Sequence, residues 1–229
     1  QWPSYVENDL ELFNSDGMII SFRFHKGRVD FKSRYVRTPR FVAEEKAGRA
    51  LFGAYRNPFD DDPSVAGISR GLANTNVFYH GGKLYASKED SPPILLDPIT
   101  LETIGEYDFE GALTSRTSTA HPKFDPITGE MVFFGYEAKG PGTPDIAYYE
   151  ADASGRIIHE AWLEAPYTSM VHDWAVTQNF VVFPIIPLRS DIEWIKQGRS
   201  YFQWDPYEDV YLGVMPRKGT AKDLRWYRG

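Results

Sequence analysis

The 229 residues include no cysteine, so thiolate metal sites, disulfides and a cysteine nucleophile are excluded, and the five histidines are the first place to look for metal or base chemistry. His25 and His80 abut the turns Lys26-Gly27 and Gly81-Gly82, and His159 lies in the charged run from Arg156 to Glu160. All three read as exposed structural side chains. His121 and His172 differ. His121 stands in Ser118-Thr-Ala-His-Pro-Lys-Phe-Asp-Pro, where Pro122 holds it out of helical geometry at the start of a strand. His172 stands in Met170-Val-His-Asp-Trp-Ala-Val-Thr and opens another apolar strand. Either can present an imidazole at the rim or axis of a β-architecture. No His-x-His or His-x-x-x-His spacing joins them, so on spacing alone each is first a structural histidine. No G-x-S-x-G elbow supports a serine hydrolase. Paired-carboxylate glycosidase chemistry stays open, but 32 acidic residues always contain candidate pairs and so carry no signal.

The elements that must position these side chains are mainly strands. Aromatics make up 15% of the chain, and 19 glycines and 16 prolines favour short strands and tight turns over long helices. Met18 to Phe24 and Val29 to Val36 alternate across the Lys26-Gly27 turn as a hairpin. Asn76 to His80 and Lys83 to Ser87 form a second hairpin, since Gly81-Gly82 accepts positive φ without steric cost. Short helices are expected at Phe41 to Arg49 and near Ser190 to Gln197. Asp97-Pro98, Asp125-Pro126 and Asp205-Pro206 each separate two apolar runs, with Asp bonding the backbone ahead and Pro fixing φ. A recurring strand, Asp-Pro turn, strand unit suggests propeller blades or a sandwich rather than βαβ units, and the propeller is favoured.

Net charge is −7, which disfavours a polyanionic partner. Arg34, Arg37 and Arg40 form the densest basic stretch and read as a solvated strand edge, so nucleic-acid binding is not expected. The apolar run from Phe180 to Leu188 is broken by Pro184 and Pro187 and falls well short of the ~20 residues of a membrane span. The absence of cysteine agrees with a reducing, cytoplasmic setting. Gln1 at the start and the stop at Gly229 do not read as natural termini. The strands would build about half of a large propeller, which would leave two open sheet edges. One partial domain over residues 1–229, incomplete at both ends, is therefore expected.

Several segments resemble the carotenoid cleavage oxygenases. Ala120-His-Pro-Lys-Phe-Asp-Pro-Ile-Thr-Gly-Glu is similar to the first iron-ligand motif of that superfamily, and Val171-His-Asp-Trp-Ala-Val-Thr to the second. Asp16-Gly-Met-Ile, Asn74-Thr-Asn-Val with Lys83-Leu-Tyr-Ala-Ser-Lys-Glu, and Leu95-Leu-Asp-Pro-Ile-Thr-Leu-Glu-Thr fit in the same order. The resemblance implies a seven-bladed β-propeller, all-β with short helices, carrying Fe(II) on its axis between four histidines. His121 and His172 match the first two, and the other two are expected beyond residue 229, so this polypeptide alone should bind iron weakly or not at all and be inactive. Glu89 matches a carboxylate that orients an imidazole and offsets charge. Otherwise it would be a solvated hairpin residue beside Asp90. Thr75 resembles a residue near an open coordination position.

Within the superfamily, Tyr55 and Lys88 resemble the lignostilbene-cleaving branch. There such a pair contacts the 4-hydroxyl of a phenolic stilbene, and an aromatic, here Phe13, packs on the ring. A free phenol titrates near pH 10, and a nearby ammonium favours the phenolate, which pushes electron density toward the alkene. The resemblance thus implies O₂-dependent cleavage of the central C=C of a hydroxylated stilbene into two aromatic aldehydes, in lignin-derived aromatic catabolism. It leaves a homodimer open. The alternatives are cleavage of an apocarotenoid and a propeller binding module that has lost its metal. Without the resemblance, Lys88 would be a surface lysine and Tyr55 partly buried packing.

Overall fold

The computed structural model describes residues 13–229. A hairpin of β1 (Met18–His25) and β2 (Arg28–Tyr35) comes first, followed by helix α1 (Pro39–Ala47). One face of the hairpin, with Phe22, Phe24, Val29 and Phe31, is apolar and exposed. α1 is capped by the Thr38 side chain, which accepts from the Phe41 N–H, and ends at Gly48 with φ +67°. Arg40 is buried in this helix, where it bonds Asn14 Oδ1 and lies over Phe52, so it is not on a solvated strand edge as expected.

Three four-stranded antiparallel sheets follow. The first orders β3 (Asn76–His80), β4 (Lys83–Ser87), β5 (Ile94–Leu96) and β6 (Thr103–Glu106) as a meander. The second runs through β7 (Lys123–Phe124), β8 (Met131–Tyr136), β9 (Asp145–Ala151) and β10 (Ile157–Glu164). In the third, β11 (Ala175–Val176) pairs with β12 (Phe180–Ile185). The chain then leaves through β13 (Leu188–Arg189), helix α2 (Ile192–Lys196) and β14 (Gln203–Trp204). It returns as β15 (Tyr211–Pro216) beside β12, with β16 (Arg225–Arg228) outermost. Four-stranded meanders of this kind are the blades of a β-propeller. The Asp-Pro turns fall between strands as the sequence indicated: Asp97, Asp125 and Asp205 each accept a backbone N–H two residues ahead.

The second sheet shows why blades stack. β8 is buried at every position, because successive side chains point to opposite faces and both faces are covered. Met131 and Phe133 pack toward Tyr85 and Phe109 of the first-sheet side, while Val132, Phe134 and Tyr136 pack with Val181, Phe183 and Met215 of the third. Gly135 lies between them where a Cβ would meet the Thr117 carbonyl at 2.3 Å. His80 is likewise buried, not exposed as expected, and bonds the Asp152 carbonyl between the first two sheets.

Arg217, in the turn after β15, ties the third sheet to the second through Asp125 (2.6 Å), Glu130 (2.7 Å) and the fully buried Glu150 (2.9 Å). Arg217→Met would leave Glu150 without its charge partner, so the chemical-denaturation midpoint should fall by an amount corresponding to about 3 kcal/mol. The arginine also holds the Asp125 carboxyl down to about 2. Its contribution is therefore present above the ordinary aspartate pKa of 3.8 and lost as pH falls toward 2, and the variant should show a shallower acid limb.

Candidate metal centre

The residues immediately before the first strand of each sheet meet at one place. Thr75 precedes β3, His121 lies two residues before β7, and His172 lies three before β11. The three entries are tied together. Asn76 Nδ2 donates to the Ala120 carbonyl at 2.8 Å, and the Trp174 indole N–H donates to the His121 carbonyl at 3.0 Å. Lys123 and Asp173, just past the two histidines, pair at 2.6 Å.

The result is that His121 Nε2 and His172 Nε2 lie 3.1 Å apart although 51 positions separate them in the chain. The rings meet edge to face, with centroids 4.6 Å apart and planes at 75°. Glu89 lies behind His172, its two oxygens 2.9 and 3.1 Å from Nδ1. A carboxylate only accepts, so Nδ1 carries the hydrogen and Nε2 presents its lone pair toward His121. The Glu89 hydrogen bond raises the pKa of His172, whereas burial, and then the neighbouring His172, lower that of His121. Two nitrogens about 2.1 Å from one ion and at right angles would lie about 3.0 Å apart, so the pair fits adjacent positions on a first-row divalent metal. Among the described residues no group of three or more His, Asp or Glu gathers as a metal cluster. Two imidazoles face each other here.

Glu89 is buried, not the solvated hairpin carboxylate that its place beside Asp90 would suggest. It belongs to Lys88-Glu89-Asp90, where the chain leaves β4, and the Thr75 N–H pins this exit to the start of β3 through the Ser87 carbonyl at 3.0 Å. Lys88 is also buried, at 3% exposure, against its reading as a surface lysine. Its Nζ bonds Asp90 at 3.0 Å and the Phe13 carbonyl at 3.1 Å, and lies 4.6 Å from the centroid of the Tyr55 ring. The Phe13 ring is 5.7 Å from that of Tyr55 and half exposed. Phe13, Tyr55 and Lys88 thus come together one residue away from the carboxylate that faces His172. Burial lowers the Lys88 pKa against the opposing pull of Asp90, and burial raises that of Tyr55, which stays a phenol. Thr75 is exposed, its hydroxyl donating to Asn74 Oδ1, at the position that corresponds in the first sheet to the two histidines.

A family model described as retinal pigment epithelial membrane protein matches residues 3–229. The chain belongs to this family, that of the carotenoid cleavage oxygenases. It is 55% identical over 229 residues to resveratrol cleavage oxygenase 1 of Aspergillus fumigatus, covering 100% of this chain and 45% of that protein. Over 215 residues it is 53% identical to isoeugenol monooxygenase of Pseudomonas putida, covering 94% of this chain and 45% of that one. The crystal structure of Pseudomonas brassicacearum lignostilbene dioxygenase superposes with a TM-score of 0.95 at 48% identity, over 100% of this chain and 47% of that one. The chain therefore spans about half the length of these carotenoid-oxygenase relatives, and its fold is the corresponding part of a β-propeller. No described helix is long and apolar enough to cross a membrane.

Sequence reading missed the support behind this site. Tyr136, Arg56 and Glu137 are all buried, and Tyr136 donates to Glu89 Oε1 at 3.3 Å. Tyr136 closes the continuous apolar run of β8, which marks a doubly covered strand. Nothing in the sequence distinguishes Arg56 or Glu137 from solvated charges.

Proposed function

We propose that residues 1–229 form one continuous part of an alkene-cleaving oxygenase. In the full-length protein His121 and His172 would supply two of the imidazoles that hold Fe(II). Phe13, Tyr55 and Lys88 would receive the hydroxyphenyl end of a stilbene whose central double bond is split by O₂ into two aromatic aldehydes. The observation that carries this reading is the 3.1 Å approach of the two Nε2 atoms with Glu89 fixed on the far side of one ring. The names of the relatives support the substrate class, since resveratrol, lignostilbenes and isoeugenol each join a phenol to a conjugated double bond.

Fe(II), when bound, supplies the means of binding and reducing O₂. The chain's own residues do the rest. Glu89 keeps the hydrogen of His172 on Nδ1 and offsets charge beside the metal position. The Tyr55 hydroxyl would bond the phenolic oxygen of the substrate, and the Lys88 ammonium, which lies over the Tyr55 ring, would favour the phenolate. Asp90 holds Lys88 on its other side, and Phe13 offers a ring face at the mouth. Thr75, beside the histidines in the ring of sheet entries, would border an open coordination position.

The test is a comparison of a 4-hydroxystilbene with its 4-methoxy analogue on the full-length iron-loaded protein. The hydroxystilbene should be cleaved with kcat/KM higher by about 10³-fold or more, because sites built to bond a hydroxyl reject analogues that lack one by about 10⁴–10⁵. Equal rates would sink the phenol role and favour an apocarotenoid-type substrate.

A further inference from the structure

We propose that Arg56 and Tyr136 form a one-way hydrogen-bond relay that positions Glu89, and through it the His172 imidazole, toward the metal. This rests on the reading of His121 and His172 as metal ligands. Arg56 donates from Nη1 to the Tyr136 hydroxyl at 2.8 Å and from Nη2 to Glu137 Oε2 at 2.5 Å. A guanidinium has no acceptor, so the Tyr136 oxygen must accept from it. The single hydroxyl hydrogen of Tyr136 is then left for Glu89 Oε1, 3.3 Å away. Glu89 in turn accepts from His172 Nδ1. Every hydrogen in the series has one place to go, and the last of them decides which nitrogen of His172 carries the lone pair.

Two further observations mark this as more than packing. Arg56 is enclosed, its guanidinium over the rings of Tyr136 (4.9 Å), Tyr201 (5.1 Å) and Phe202 (5.5 Å). Buried ion pairs add little net stability over apolar residues of similar volume, so retaining one calls for another reason. Both partners also sit at positive φ, Arg56 at +58° and Glu137 at +49°. Non-glycine residues in that region are strained, and such strain persists where the surroundings dictate it, often beside functional sites. Glu137 is itself fixed by Ser190 Oγ at 2.6 Å and the Tyr201 hydroxyl at 2.9 Å, both on the excursion between β12 and β15. Glu137 holds Arg56, Arg56 orients Tyr136, and Tyr136 aims Glu89. Tyr136 and Arg56 are positioning residues.

Tyr201 supplies the control: its hydroxyl bonds Glu137 and not Glu89, and without it Glu137 keeps Arg56, Ser190 Oγ and the Gly142 N–H, so Arg56 stays in place. The full-length protein is loaded with Fe(II) anaerobically as wild type, Tyr136→Phe and Tyr201→Phe. Bound iron is then titrated against a ferrous chelator, and the thermal midpoint is read with and without metal. The relay predicts that Y136F weakens iron binding about tenfold, the lower end of the roughly 10–100-fold cost of losing an orienting hydrogen bond behind a ligand. It should also shrink the iron-induced rise in midpoint. Y201F should lower the metal-free midpoint as Y136F does, yet bind iron like wild type. Should Y136F not fold, Arg56→Lys serves instead. It keeps a charge beside Glu137 but cannot fork to both oxygens, and should also weaken iron binding. Wild-type iron affinity in Y136F, or in R56K where only that variant folds, overturns the relay while leaving the metal reading intact. Equal losses in Y136F and Y201F overturn it too. Wild-type protein that takes up no iron overturns the metal reading, and the relay with it.

Discussion

Alanine at His172 should abolish stable iron binding by the full-length protein at a cost to stability of only a few kcal/mol. The two effects separate because of where the side chain sits. Half of the His172 side chain is exposed, and its Nδ1 bond to Glu89 is the contact that positions it. Exposed sites of this kind shift stability by about 0.5 kcal/mol or less when truncated. Glu89, buried and left with the longer bond from the Tyr136 hydroxyl, adds about 1–3 kcal/mol. Iron affinity should fall by more than the roughly 10–100-fold expected for loss of an orienting group alone, since a donor atom itself is gone. Glu89→Gln should give that smaller loss, because its amide oxygen can still accept from Nδ1 but brings no charge. Metal analysis after anaerobic loading, with thermal midpoints alongside, checks all of this. A structural histidine would give lowered stability with unchanged iron. Full iron content in both His121→Ala and His172→Ala would end the reading of this pair as iron ligands, whereas wild-type protein that takes up no iron would favour a metal-free binding module.

The sequence carried the strands well because their determinants are local. Gly81 and Gly82 both take positive φ, and the hairpin they close runs from Asn76 to Ser87. Each Asp-Pro turn is built from bonds within a few residues. The short helix is capped by Asp191, within the stretch that suggested it. Arg40 and His80 failed for a different reason: their partners, Asn14 and the Asp152 carbonyl, lie 26 and 72 positions away. The candidate site divides along the same line. Residue types and motif resemblance singled out His121, His172, Glu89, Tyr55 and Lys88, and the geometry brings each histidine or carboxylate to the others. The sequence could not reveal that Arg56 and Glu137 are buried, because a charged residue looks alike in sequence whether water or three aromatic rings surround it. Spacing arguments were uninformative for a related reason. The histidines belong to successive blades, and the distance between entries to successive blades depends on how long each meander is.

Lys88→Met should lower kcat/KM on a 4-hydroxystilbene by about 10²-fold or more, the scale on which removing a preorganised charge from a reacting centre is felt. Iron content should not change, since Lys88 touches neither histidine. The substitution has a second consequence that must be kept apart from the first. Lys88 is the partner that bonds Asp90, and Asp90 Oδ1 is already buried without one. Removing the ammonium strands that carboxylate, a cost of about 3–5 kcal/mol in cases where one member of a buried pair is deleted. Lower activity in the single variant could therefore reflect a loosened pocket as well as lost chemistry. Lys88→Met with Asp90→Asn removes both charges and should recover most of the thermal stability. If the ammonium acts on the substrate's phenol, turnover stays low in the stable double variant. The deficit should also shrink when the substrate is the 4-methoxy analogue, which has no proton for Lys88 to influence. Recovery of wild-type turnover along with stability would instead reduce Lys88 to a packing residue whose charge serves Asp90.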